Sequence, residues 1–131
     1  MTASRQAASF LSLAREDLAA AKALLETFPR HAAFNLSQAA EKIIKAVLTS
    51  EGLSMGTSHH QLGRLVQLLP AGHFWREELM GLDKHTAAAT IFRYPAAGGA
   101  MPSVPPIERL TSHLRELEAL LPEIEDWRRE R

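Results

Sequence analysis

Residues 91–101 read IFRYPAAGGAM, an arginine at a helix edge followed by proline and paired glycines. Arg93 carries a planar fork of N–H donors matched to phosphate or carboxylate. Tyr94 beside it could stack or hydrogen-bond. A second chemical stretch, NLSQAAEKIIKAVL, spans residues 35–48. At about 100° per residue, Gln38, Glu41 and Lys45 share a sector of roughly 60°, with Lys42 at its edge and the apolar side nearly opposite. Glu41 and Lys45 also form an acid-then-base pair one turn apart, worth about 0.2–0.5 kcal/mol if exposed. Periodicity alone favours a solvated face. The functional alternative is a stripe facing a groove or a second subunit, where Lys42 and Lys45 would meet phosphate. Asp17 poses a similar choice. It borders an apolar seam and could reach inward, but the run Arg15-Glu16-Asp17 favours a surface carboxylate.

The six histidines argue against a metal site. His59 and His60 are adjacent and point apart on regular structure, with no histidine or carboxylate at the metal-ligand spacings. His73, His85 and His113 are isolated in sequence, so only a site assembled in space would unite them. His59 or Ser58 could instead cap the short helix that follows. The chain has no cysteine, which removes disulfides, thiolate nucleophiles and thiolate metal sites. It also lacks a phosphate loop, a dinucleotide fingerprint and a nucleophile elbow. No cofactor or metal is implied.

The elements that must position these residues are helical. Leu11, Ala14, Leu18, Ala21 and Leu25 recur at spacings of three and four, predicting a helix from about Ser4 to Thr27 that Phe28-Pro29 ends. A second helix is expected from about Arg30 to Ser50, with Phe34, Ala39, Ala40, Ile43, Ile44, Val47 and Leu48 as its apolar side and Gly52 as its stop. HHQLGRLVQLLP predicts a short third helix closed by Pro70-Ala71-Gly72. A fourth, roughly Phe74 to Phe92, carries Leu79, Leu82, Ala89 and Phe92. Residues 96–106 form a Gly/Pro-rich loop, for which Gly98 and Gly99 predict high mobility. In the last helix Ile107, Leu110, Leu114, Leu117, Leu121 and Ile124 alternate spacings of three and four, and Pro122 should kink or restart it.

These elements predict an all-α chain, an antiparallel bundle of four longer helices plus one short helix, in one domain over residues 1–131. Composition agrees: 46% of residues are hydrophobic and 23% charged. Lys plus Arg equals Asp plus Glu at 15 each, so no global basic field advertises nucleic acid. Neither a signal pattern nor a membrane-length apolar run is present, and a cytoplasmic location is the default expectation.

Taken in order, AREDLAAAKALLE, AAFNLSQAAEKIIKAVLTSEGL, HHQLGRLVQLLP and IFRYP resemble the HEPN domain family, named for higher eukaryotes and prokaryotes nucleotide-binding. The most specific parts are Gln38-Ala39-Ala40-Glu41-Lys42 with Lys45, His60-Gln61-Leu62, and Arg93-Tyr94-Pro95. The resemblance implies a bundle of about five helices that dimerises. It also implies a nucleotide or a minimal nucleotidyltransferase protein as partner, in pairs resembling toxin–antitoxin systems, or metal-independent ribonuclease activity. In the ribonuclease members an arginine and a histidine four to six residues further on act together on RNA. Here no histidine follows Arg93 before Pro106, and Arg109 and His113 have only three residues between them. The RYP variant therefore resembles a non-catalytic branch that binds a nucleotide or partner through Arg93, with Lys42 and Lys45 supporting and Tyr94 nearby. The alternatives are a ribonuclease toxin using Arg93 with a histidine from elsewhere, His60 first, and a purely structural dimerisation module.

Overall fold

The computed structural model describes residues 2–55 and 61–131. Its helices are α1 (Thr2–Leu24), α2 (Pro29–Ser50), α3 (Leu62–Val66), α4 (Arg76–Met80), α5 (Thr86–Thr90) and α6 (Ile107–Arg129). Tighter 3-10 turns at Gly81–His85 and Ile91–Arg93 join α4 and α5 into one run reaching from residue 76 to 93. No strand occurs among the described residues. Long-range contacts fix an up-down-up-down order. The start of α1 meets the end of α6 through Ser4 and Arg128, α2 begins beside Phe92 and ends beside His73, and its last residues meet the end of α6 through Glu51 and Arg131.

The α1–α2 hairpin is built on alanine. Ala7, Ala14 and Ala21 on α1 and Ala32, Ala39, Ala40 and Ala46 on α2 are fully buried. Side chains this small let two helices approach closely, while Leu11, Leu18, Leu36, Ile43 and Ile44 supply the apolar area. Each such residue fully removed from water contributes about 1.5–3 kcal/mol. α1 stops at Leu24, earlier than expected, and a turn carries the chain to Phe28. Pro29 opens α2 rather than closing α1, at the first helical position, where its missing N–H costs nothing. Gly52 adopts φ +71° just past α2, the left-handed stop its position predicts.

Two expectations need correcting. Of the kink or restart expected at Pro122, the restart does not occur: α6 continues through it to Arg129. Pro122 and Glu118, whose carbonyl loses its helical donor, both lie on the exposed side, where water replaces the lost bond. The fourth helix is not a regular α-helix. After Trp75, its buried positions are Leu79, Leu82, His85 and Ala88, spaced by three from Leu79 on. That spacing drifts around an α-helix but stays in line on a 3-10 helix of three residues per turn, and the chain tightens to 3-10 between Gly81 and His85. Ala89 and Phe92, expected inside, are half-buried, and His85 takes an inward position instead.

α3 is too short to hold itself. Its first amides are satisfied from the run opposite: Leu62 N–H donates to Thr86 Oγ1 at 3.1 Å and Gly63 N–H to Asp83 Oδ1 at 2.8 Å. Of the helix's expected start, His59 and His60 lie outside the described residues, as does the cap proposed for Ser58 or His59. The 96–106 loop contains a closed turn, with Ala96 N–H donating to Ala100 O at 2.7 Å and Gly99 N–H to Ala96 O at 2.9 Å. Gly98 and Gly99 adopt φ +86° and +88° there, so the turn requires glycine at both.

Candidate functional site

Arg93 is the last residue of the Ile91–Arg93 turn, and the chain leaves it extended at Tyr94, the conformation expected before Pro95. Its guanidinium carbon stands 4.4 Å from the centroid of the Phe34 ring on α2 and 5.7 Å from that of Tyr94. A guanidinium that meets a ring through its face keeps its in-plane N–H edges available to a ligand. Among the described residues no carboxylate lies within ion-pair distance of Arg93.

One turn before Phe34, Arg30 Nη1 donates to Phe92 O at 2.9 Å. His31 follows Arg30, its ring 6.0 Å from that of Phe28 in an edge-on arrangement. The first turn of α2 carries no acidic residue. Phe28, Ile91 and Tyr94 are 55–60% exposed. This end of the bundle therefore combines cations and the positive end of α2 with exposed rings, and the first turn of α2 adds no negative charge.

From Phe34 the stripe continues along α2 through Gln38, Glu41 and Lys45, all within about 60° of one another at 100° per residue and spanning roughly 16 Å. All are half-buried, so the stripe is not the solvated face that periodicity favoured. Lys45 Nζ donates to Glu41 Oε2 at 3.0 Å, and Lys42 Nζ to Asp17 Oδ2 at 2.6 Å. Asp17 thus reaches inward from α1, against the surface reading. Both lysines are neutralised in place, which separates them chemically from Arg93. About two to three helical turns of α2, counted from Phe34, separate them from it as well.

The remaining histidines resolve differently. His73 accepts the Trp75 N–H on Nδ1 at 3.1 Å, so its Nε2 carries the proton donated to Glu51 at 2.7 Å. With both nitrogens engaged it has no lone pair for chemistry. His85 packs edge-on against His113, ring centroids 4.9 Å apart, beside a cavity of about 50 Å³ lined also by Ala33, Leu36 and Phe92. Burial, then the neighbouring His113 and Lys84, push His85 down to about 3, and its Nε2 has no partner. Burial and Lys84 likewise lower His113. No group of three or more potential metal ligands occurs among the described residues. His60 lies outside them.

Of the residues singled out by sequence, the structure joins Arg93 to Tyr94, Lys42 to Asp17 and Lys45 to Glu41. Sequence reasoning missed Arg30 and Phe34 as parts of the Arg93 edge, and His31 beside Phe28 at the same end of α2. Arg30 and Phe34 are one turn apart, a legible spacing, but their shared target lies some sixty residues away in the chain.

No helix among the described residues is long and apolar enough to cross a membrane. No curated protein and no solved structure matches the chain. The HEPN domain family does match, over residues 7–121. That span takes in most of α1, all of α2 to α5, most of α6 and every residue of the Arg93 edge and the α2 stripe. The chain belongs to the HEPN domain family, whose members bind nucleotides or act as ribonucleases.

Proposed function

We propose that this HEPN protein is a non-catalytic homodimer that uses Arg93 to hold the phosphate of a nucleotide, alongside a minimal nucleotidyltransferase protein in a toxin–antitoxin-like pair. The observation that carries the reading is the state of Arg93. Its guanidinium stands over Phe34, it has no carboxylate within ion-pair distance among the described residues, and exposed aromatic side chains lie beside an α2 first turn without acid. A planar fork presented edge-on suits phosphate oxygens. Tyr94, Phe28 and Ile91 supply exposed apolar surface for a base or a second protomer. Lys42 and Lys45 recede from the phosphate role, since each already has a carboxylate partner. Calorimetric titration with ADP and ATP tests the reading. Loss of a charge-assisted contact in Arg93→Ala should weaken binding by roughly tenfold or more, and unchanged affinity would remove Arg93 from the site.

A second reading, a metal-independent ribonuclease, is favoured by His31. It sits one turn from Phe34 on α2, where side chains three apart are separated by about 5–6 Å at Cβ. Its ring lies edge-on to Phe28 at the same end of α2, and in this reading it would be the proton-transfer group that the sequence after Arg93 lacks. Incubation with transfer RNA in EDTA tests it. Cleavage lost in both Arg93→Ala and His31→Ala would establish this reading over the first.

A further inference from the structure

Only Phe92 of the stretch 91–94 is even half-buried; Ile91, Arg93 and Tyr94 are exposed. Something other than burial must therefore fix the direction in which Arg93 leaves the bundle. The last carbonyls of any helical turn lack partners within it, and one of these, Phe92 O, is taken by Arg30 from α2. The bond is part-buried and charge-assisted, the stronger class of hydrogen bond. Arg30 and Phe34 are four residues apart, so a single turn of α2 grips the same short segment twice: Arg30 on its main chain, Phe34 on the arginine side chain.

We infer that Arg30 is a positioning residue for Arg93. It pins the Phe92 carbonyl and so sets where the free guanidinium edge stands on the Phe34 ring. The inference rests on Arg93 being the phosphate contact proposed above. Lysine is a poor substitute at this position. It offers a compact, strongly hydrated charge in place of a planar fork, and its hold on a part-buried carbonyl is correspondingly looser.

The test combines a spectroscopic signature with a binding assay on the full chain, using ADP as probe. A guanidinium held over a phenylalanine ring shows a ring-current shift of its Nε–H proton resonance. In Arg30→Gln that Arg93 resonance should move toward its free-peptide position, and ADP affinity should fall by about threefold to tenfold, as expected for one lost hydrogen bond. Arg30→Lys should recover part of both, and it also serves as the second variant if Arg30→Gln fails to fold. An Arg93 resonance unmoved by either substitution overturns the inference. If affinity then falls all the same, Arg30 touches the ligand directly. Should Arg93→Ala bind ADP normally, the phosphate reading fails, while the resonance still decides whether Arg30 orients Arg93.

Discussion

Lys42 on α2 and Asp17 on α1 meet at 2.6 Å across the helix seam, each about one-fifth exposed. Such a pair is stabilising only while both members are present, because its desolvation cost persists when one is removed. Lys42→Met alone or Asp17→Leu alone should therefore destabilise the bundle by about 1–3 kcal/mol. The double substitution should recover most of the loss. Urea unfolding of the four proteins, read as a double-mutant cycle, measures the coupling; simple additivity would show that the contact carries no energy.

Arg93 behaves oppositely. Its contact with Phe34 is exposed, a setting in which cation–ring pairs contribute about 0.5–1 kcal/mol. Arg93→Ala should thus leave thermal stability nearly unchanged while removing ligand binding. A large stability loss in this variant would mean that the residue is chiefly structural.

His85 makes folding sensitive to acid. Its folded pKa lies near 3, lowered by burial from 6.5, so the unfolded chain binds a proton that the folded chain refuses. Stability should be full above pH 6.5 and fall as pH drops from there toward 3, by up to about 1.4 kcal/mol per unit from this group. His113, lowered in the same direction, adds to the slope. His85→Leu should flatten the dependence measured by urea unfolding between pH 7 and 5. An unchanged slope would place the acid sensitivity elsewhere.

At Gly63, an added Cβ would stand 3.0 Å from the Asp83 carboxylate that receives the Gly63 N–H. Gly63→Ala must push that carboxylate away from the start of α3, and Asp83→Ala removes it outright. Asp83→Ala should cost about 0.5–2 kcal/mol, the range for losing a helix cap, and Gly63→Ala a similar amount. Matching drops in melting temperature for the two variants, with little further loss when they are combined, would identify the cap as the shared cause.

Much of the fold was legible because its long helices repeat apolar residues at three and four. Leu110 to Ile124 on α6 and Ile43 to Leu48 on α2 leave little freedom about which face turns inward. The run from Arg76 to Arg93 was misread because its buried residues recur every three, a period that looks like a poor α-helix until the tighter turn is recognised. The site was half legible. Arg93 is conspicuous beside Tyr94-Pro95, but its platform Phe34 reads as one more apolar residue of α2. Whether Asp17 reaches Lys42 depends on the crossing of two helices, which no periodicity within either one encodes.

The 3-10 turn at Gly81–His85 also acts as a length gauge. Each residue advances about 2.0 Å in that geometry against 1.5 Å in an α-helix. Five residues relaxing to the α form would shorten the run by roughly 2.5 Å. His73 is tied to Glu51 near the start of that run and Phe92 to Arg30 at its far end, so the shortening would pull on two fixed points of α2. The reach that sets Arg93 above Phe34 is thus metered by the pitch of a segment two turns upstream. A substitution between Leu79 and Ala88 that changes the winding would be felt as a load on the Arg30–Phe92 bond.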